Sequence, residues 1–248
     1  VNWSEDAIGG VVLLNVQAKT EQAAAAAAKR LGRSVLVGVM ARDFPTPEEG
    51  AAFIERLHRL GVRVSAGLGD GSADQWENAL RLALLTRPAH LNQIFPAAGL
   101  SQYALRAAGA STMVNGMIRP SGRPGYVEIG TGPLSREADT VLPAEAALLM
   151  LKETGVESVK FFPLEGDKRL GELEAVARAA ARLDMAVEPT GGITPDNVAR
   201  IVRICLDAGV RRIMPHLYGS LRNPQTGDLD PGLLERAHAQ VLAAIGGA

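Results

Sequence analysis

The chain reads as an α/β protein of the TIM (β/α)8 barrel class. Three observations predict it. Short apolar runs alternate with amphipathic helical stretches eight times over 248 residues, the repeat count and length of such a barrel. The runs are apolar throughout, as parallel strands buried on both faces are. The first strand-to-helix turn, Gln17-Ala18-Lys19-Thr20, lacks the G-x-G-x-x-G pattern of a dinucleotide-binding doubly wound sheet.

The elements follow in order. A strand over 10–18 leads into an Ala-rich helix over 20–31, alanine being the strongest helix former, and Gly32 stands where a helix commonly stops. The second strand covers 34–41. Thr46-Pro47-Glu48-Glu49 supplies an N-cap, a first-turn proline and two acids, so a helix runs from there to Gly61. The third unit is a strand over 62–69 and a helix over 73–86. The fourth is 90–95 and 99–108, and a strand over 111–118 opens the fifth. Segment 119–142 breaks the rhythm with Gly122, Gly125, Gly130 and Gly132, and Tyr126-Val127-Glu128-Ile129 alternates as a short strand does. It predicts a β-hairpin excursion after the fifth strand, of a length typical of a lid, binding loop or interface element. The fifth helix, 143–154, stops at Gly155. The sixth unit is 156–163 and 169–184. The seventh is 185–189 and 195–208, its helix opened by Thr194 and Pro195. The eighth is 210–218 and 231–245. No other stretch has a linker's composition, so 1–248 is expected to be one domain.

Composition narrows the function classes. Hydrophobic residues make up 47% and charged residues 21%, enough apolar content to offset ordering entropy. Lys and Arg number 26 against 27 Asp and Glu, a net charge of −1, so no excess of positive charge draws the chain to nucleic acid or an anionic membrane. The single cysteine, Cys205, excludes an intramolecular disulfide and a Cys-rich zinc site. No apolar run reaches the roughly 18 residues of a membrane span, and the start, Val1-Asn2-Trp3-Ser4-Glu5-Asp6, lacks the basic-then-apolar order of a secretory signal. The expectation is a soluble cytoplasmic protein without a membrane or nucleic-acid partner. It is expected to associate with copies of itself through outer helices.

In this barrel class, chemistry sits where strands end on their C-terminal side. Polar residues gather there: Asn15 and Gln17, Asn92 and Gln93, Asn115, Lys160, Glu188 and Thr190, and His216. A period of two puts Lys160 with Phe162, Glu188 with Thr190, and His216 with Tyr218. Lys160 lies midway along an apolar strand, where lysine is seldom buried unless paired or functional. Burial lowers a lysine's pKa and frees a nucleophilic amine able to form a Schiff base with a ketone. An outer-face ion pair with Glu188 is the structural alternative. Pro189-Thr190-Gly191-Gly192-Ile193-Thr194-Pro195 and Pro215-His216-Leu217-Tyr218-Gly219-Ser220 end the last two strands. Loops at those places often bind phosphate on backbone amides, which makes Gly191, Gly192, Gly219 and Ser220 candidate phosphate contacts. Lys19, Arg42 and Arg119 are the cations near strand ends that could meet a substrate carboxylate or phosphate.

Val159-Lys160-Phe161-Phe162-Pro163 resembles the Schiff-base strand of the 2-keto-3-deoxy-6-phosphogluconate (KDPG/KHG) aldolases, and Pro189-Thr190-Gly191-Gly192-Ile193 resembles their phosphate loop one unit later. A closer likeness spans nearly the whole chain. Leu14-Asn15-Val16, Asn92-Gln93, Val114-Asn115-Gly116, Thr131-Gly132-Pro133-Leu134-Ser135 and Pro215-His216 are similar to a separate bacterial KDGP aldolase family linked to glucosaminate breakdown. The resemblance implies a class I pyruvate aldolase acting on a phosphorylated keto acid, with Lys160 as the Schiff-base residue and neither metal nor cofactor. One departure stands out: the second strand, Val35-Leu36-Val37-Gly38-Val39-Met40, lacks the proton-moving glutamate of the KDPG aldolases. Glu188 is the first candidate for that role, His216 the second and Asp43 the third. The alternative activities are a phosphosugar isomerase or epimerase on the same barrel, a 4-hydroxy-2-oxoglutarate-type aldolase, a metal-dependent aldolase, for which Asn15, Glu188 and His216 are too few ligands, and a non-catalytic sugar-phosphate binder.

Overall fold

The β-branched runs form eight parallel strands that close on themselves. In the computed structural model, which describes residues 1–247, they are β1 (Leu14–Gln17), β2 (Val35–Met40), β3 (Val64–Gly67), β4 (His90–Ile94), β5 (Met113–Pro120), β8 (Ser158–Phe161), β9 (Ala186–Pro189) and β10 (His216–Leu217). Parallel ladders join them in chain order. β10 pairs with β1, and the bridges Val187↔Ile213 and Thr190↔His216 tie β9 to β10, completing the ring. This is the (β/α)8 barrel the sequence predicts.

Eight helices follow the eight strands: α2 (Glu21–Leu31), α3 (Pro47–Arg59), α4 (Trp76–Thr86), α5 (Phe95–Ala107), α6 (Ala144–Glu153), α7 (Leu170–Arg182), α8 (Val198–Asp207) and α9 (Pro231–Gly246). A short α1 (Trp3–Asp6) precedes them. The caps are those the sequence offers: Thr20 and Thr46 accept from the amides three residues on, and Asp230 accepts from Gly232 and Leu233. The main core lies between strands and helices, where outward-facing residues such as Leu14, Val37, Leu91, Val114 and Phe161 are fully or almost fully buried. No helix among the described residues is long and apolar enough to cross a membrane.

Several boundaries differ from the sequence reading, and for three of them the local bonding gives the reason. α5 starts at Phe95, not near Gly99, because Pro96 fits its first turn and the Gln93 side chain accepts from the Ile94 amide at 2.9 Å. α8 starts at Val198, not Pro195. The Thr194 amide donates to Asn197 Oδ1 and Thr194 Oγ1 accepts from the Asp196 amide, so local side-chain bonds hold a separate turn there. The last strand is two residues long plus a bridge at Ile213, since Pro215 has no N–H to continue the ladder.

The excursion is a hairpin with a third strand added. The tip of β5 pairs antiparallel with β6 (Tyr126–Glu128), which pairs antiparallel with β7 (Val141–Pro143). This small sheet stands beside the barrel mouth, on the β5 side.

Candidate active site

Strand periodicity points every second residue of the barrel strands inward, and these residues sort by height. Leu13, Leu36 and Met214 form a small apolar plug apart from the main core. Above it lies a layer of fully buried or nearly buried polar groups: Asn15, Ser65, His90, Asn115, Ser158, Glu188 and His216. Lys160 stands one step higher, in register with Met117 on one side and Glu188 on the other.

The polar layer is one hydrogen-bonded network centred on Glu188. Oε1 accepts from His90 Nε2 at 3.0 Å and from the Ser158 hydroxyl. Oε2 accepts from Asn115 Nδ2 at 2.7 Å and from His216 Nε2 at 2.9 Å. Burial alone would raise the carboxyl's pKa, but the His90 charge and the bonds from His216 and His90 outweigh it and hold Glu188 well below the usual carboxylate range. Four donors occupy the two oxygens, about the capacity of a carboxylate. The ionised carboxylate in turn keeps the His216 proton on Nε2. Burial, helped by the Lys160 charge, drives the His216 pKa down to about 3, so the ring is neutral. Its bare Nδ1 is buried without a hydrogen-bond partner.

Asn92 connects this layer to the lysine. Its Oδ1 accepts from Lys160 Nζ and from Asn115 Nδ2, both at 3.0 Å, while its Nδ2 donates to Ser65 Oγ at 3.0 Å. Lys160 forms no salt bridge among the described residues, so the ion pair with Glu188 is not made. Its amine lies 5.6 Å from the centre of the Phe162 ring. Burial pulls the Lys160 pKa down to about 8, against the Glu188 and Asp70 charges that raise it. The amine is therefore held by a neutral amide and is easier to deprotonate than a surface lysine.

Three hollows meet above it. A narrow one of about 50 Å³ holds Lys160, Asn92, Met40, Phe162 and Tyr218. A second, of about 320 Å³, runs over Thr190, Gly191, Gly192, Ile193, Gly219 and Ser220. The amides of Gly191, Gly192 and Ile193 find no acceptor among the described residues. Gly192 has φ +73°, and a Cβ there would lie 2.4 Å from the Gly166 amide nitrogen, so only glycine fits this turn. The third hollow, of about 150 Å³ on the excursion side, is lined by Arg119, Thr131 and Arg136.

The residues expected from sequence are unequally placed. Asn15, Asn92, Asn115, Lys160, Glu188, Thr190 and His216 share the barrel interior. Lys19 is exposed with its amine beside Gly227, and it lines a separate hollow with Gln17, Asp43 and Phe44. Arg42 reaches the mouth, but its guanidinium is engaged by Asp70 at 2.7 Å and by Ser72 at 3.3 Å. His90, Ser65 and Ser158 were missed, although His90 shares parity with Asn92 and Ser158 with Lys160. Asp70 and Arg136 carried no signal beyond their charge. Among the described residues no group of three or more His, Cys, Asp or Glu side chains is arranged to hold a metal ion.

Comparison with known proteins is consistent with this architecture. The family model described as KDGP aldolase matches residues 9–225. A 2-dehydro-3-deoxy-phosphogluconate aldolase of Salmonella typhimurium (strain 14028s / SGSC 2262) is 41% identical over 237 residues, covering 94% of this chain and 96% of that protein. Among solved structures, a thiamine phosphate pyrophosphorylase from Pyrococcus furiosus is similar at a TM-score of 0.56 and 13% identity, over 95% of this chain and 98% of that one. FabK from Thermotoga maritima is similar at a TM-score of 0.55 and 11% identity over 83% of this chain, which spans only 58% of FabK. At such identities the two structural likenesses speak for the fold alone.

Proposed function

The chain belongs to the KDGP aldolase family, and from that premise we propose a class I mechanism in which Lys160 forms a Schiff base with the C2 ketone of a 2-dehydro-3-deoxy-6-phospho sugar acid. Pyruvate and glyceraldehyde 3-phosphate are the products. The observation that carries this reading is the Lys160 amine, set at the barrel mouth against Asn92 at 3.0 Å and held near a pKa of about 8. A neutral amine attacks the ketone, and the C2 oxygen leaves as water. The resulting iminium draws the C3–C4 bonding pair into an enamine as the aldehyde departs. Protonation at C3 and hydrolysis free pyruvate and the lysine.

The hollows flanking the lysine suit the two anionic ends of such a substrate. The phosphate lies over Gly191, Gly192, Gly219 and Ser220, where amides serve an anion. The carboxylate, one bond from C2, lies toward Arg119 and Arg136, whose guanidinium forks match it.

Borohydride reduction in the presence of pyruvate tests the reading. The expected result is a reduced pyruvyl adduct on the peptide holding Lys160. Its rate of formation should climb with pH and level off above about 8, because the attacking amine must be unprotonated. An adduct on Lys19 or Lys168, or none at all, would end the proposal; turnover without any adduct would favour the isomerase or epimerase alternative.

The phosphate assignment has its own test, and the geometry selects the residue for it. Gly192→Asp would distort the turn, but an added Cβ at Gly219 meets nothing within 4 Å and Gly219 has no left-handed φ. Gly219→Asp should raise the KM for the phosphorylated aldehyde by roughly 10–100-fold, the worth of about 1.4–3 kcal/mol of lost anion binding. Pyruvate trapping should stay at the parent rate. Equal effects on phosphorylated and non-phosphorylated aldehydes would remove the phosphate from this hollow.

A further inference from the structure

An aldol cleavage of this kind needs a group that takes the C4 hydroxyl proton and later returns a proton to C3. The identity of that group is a separate question, resting on the aldolase reading above. Glu188 does not reach the substrate space: its oxygens accept from His90, Ser158, Asn115 and His216, and it lines none of the three hollows. His216 lines the hollow over Gly191 and Gly192, but it gives its Nε2 proton to Glu188, its Nδ1 is closed off from solvent, and burial holds its pKa down to about 3, a weak base. Asp43 faces the separate hollow beside Lys19.

One carboxylate remains. Asp70 is the single acid lining each of the three hollows that meet at Lys160. It follows β3 in a loop whose backbone is strained to present it. Gly69, Asp70 and Gly71 have φ of +100°, +42° and +70°, three successive left-handed residues. A non-glycine residue in that region costs energy that functional sites tend to hold. The loop is pinned on both sides: an added Cβ at Gly69 would lie 2.3 Å from Arg42 Cδ, and one at Gly71 would lie 2.9 Å from Phe162 Cε1. Arg42 donates to Asp70 Oδ2 at 2.7 Å, and Oδ1 accepts no hydrogen bond among the described residues. The carboxylate is exposed at the mouth, where an arriving substrate would cover it.

We propose that Asp70 Oδ1 carries the proton in this reaction, with Arg42 fixing the other oxygen. The carboxylate takes the proton of the C4 hydroxyl as the oxygen's electrons form the aldehyde C=O. The C3–C4 pair becomes the C2=C3 bond, and the C2=N pair settles on the Lys160 nitrogen as a neutral enamine. The aspartic acid then gives the same proton to C3, the nitrogen pair returns to form the iminium, and the carboxylate is restored. No other reactant is required until water hydrolyses the imine.

Hydrogen–deuterium exchange at the pyruvate methyl group in deuterated water isolates the C3 proton transfer from carbon–carbon cleavage. Asp70→Asn should slow both exchange and cleavage by about 10²–10⁴-fold, the size of a general acid–base contribution. The borohydride adduct of pyruvate on Lys160 should persist in that variant, and Asp70→Glu should recover part of the exchange. Exchange within a few-fold of the parent would overturn the assignment. So would loss of the adduct in Asp70→Asn, because Asp70 would then serve imine formation. Absence of an adduct in the parent protein would instead sink the class I reading and leave the fold untouched.

Discussion

Lys160→Met should abolish turnover, keep the fold and raise the thermal midpoint. The substitution keeps the length and the apolar stem and removes the nucleophile, so no Schiff base forms. The gain in stability follows from linkage. Lys160 has its pKa lowered from 10.5 to about 8 by burial in the native chain. A lysine whose folded pKa is depressed destabilises the native state wherever it must stay protonated. The full penalty stands below about pH 8 and fades as pH climbs toward 10.5. It is at most on the order of 3 kcal/mol at pH 7, offset by about 1 kcal/mol for the lost hydrogen bond to Asn92. A rise of a few degrees in the melt is expected at pH 7, shrinking by pH 10. Lys160→Arg should be equally inactive, because guanidinium does not deprotonate, and should gain no stability because the charge stays. Activity in either variant would remove Lys160 from the chemistry. A Met variant no more stable than the parent at pH 7 would remove the electrostatic argument.

Glu188→Gln should cut turnover by roughly 10²-fold and destabilise the chain, yet leave the Lys160 adduct detectable. The amide offers one acceptor oxygen where the carboxylate offers two, and its NH2 must face either Asn115 Nδ2 and His216 Nε2 or His90 Nε2 and the Ser158 hydroxyl. A buried donor left without a partner costs about 1–3 kcal/mol, so the layer beneath Lys160 must shift, and a shift of about 1 Å at a reacting group can cost 10²-fold in rate. A pH signature separates this from proton transfer. The Glu188 charge raises the Lys160 pKa, so its loss lowers that pKa and moves the rising limb of adduct formation to lower pH. An unmoved limb with parental turnover would show that Glu188 neither positions nor polarises the amine.

Eight βα units were legible because each strand and helix imposes its own period on the apolar residues. The interior site was legible for the same reason. Asn15, Asn92, Asn115, Lys160, Glu188, Thr190 and His216 interrupt apolar strands at inward parity, and polar groups in such runs are conspicuous. His90 and Ser158 have the same parity but open their strands, where a sequence does not distinguish the barrel floor from the preceding loop. The occupancy of Glu188 was not legible at all, since its four donors come from four strands and only closure brings them together. Asp70 lies in a Gly-rich loop after β3 with no pattern to mark it, and Arg136 lies in an excursion whose course is set by long-range pairing. The early start of α5 and the late start of α8 turned on side-chain bonds at Gln93 and at Thr194 and Asn197, local details that propensity averages over.

The left-handed backbone at position 70 also restricts how this protein can drift. Few residues other than glycine accept such a φ, and asparagine and aspartate are the most tolerant of them. From aspartate, one nucleotide change reaches asparagine and glycine, both at ease with the backbone and both without the carboxylate. Glutamate, also one change away, keeps the acid but brings a longer side chain that lacks aspartate's local bonding in that conformation. Drift at this position therefore tends to retain the residue or lose its charge, with little in between. Gly219, on the rim after β10, has open space around it and no left-handed φ, so nearly any side chain can be tried there. Divergence in the distal end of the substrate should accumulate on the rim after β10, while the rim after β3 stays fixed.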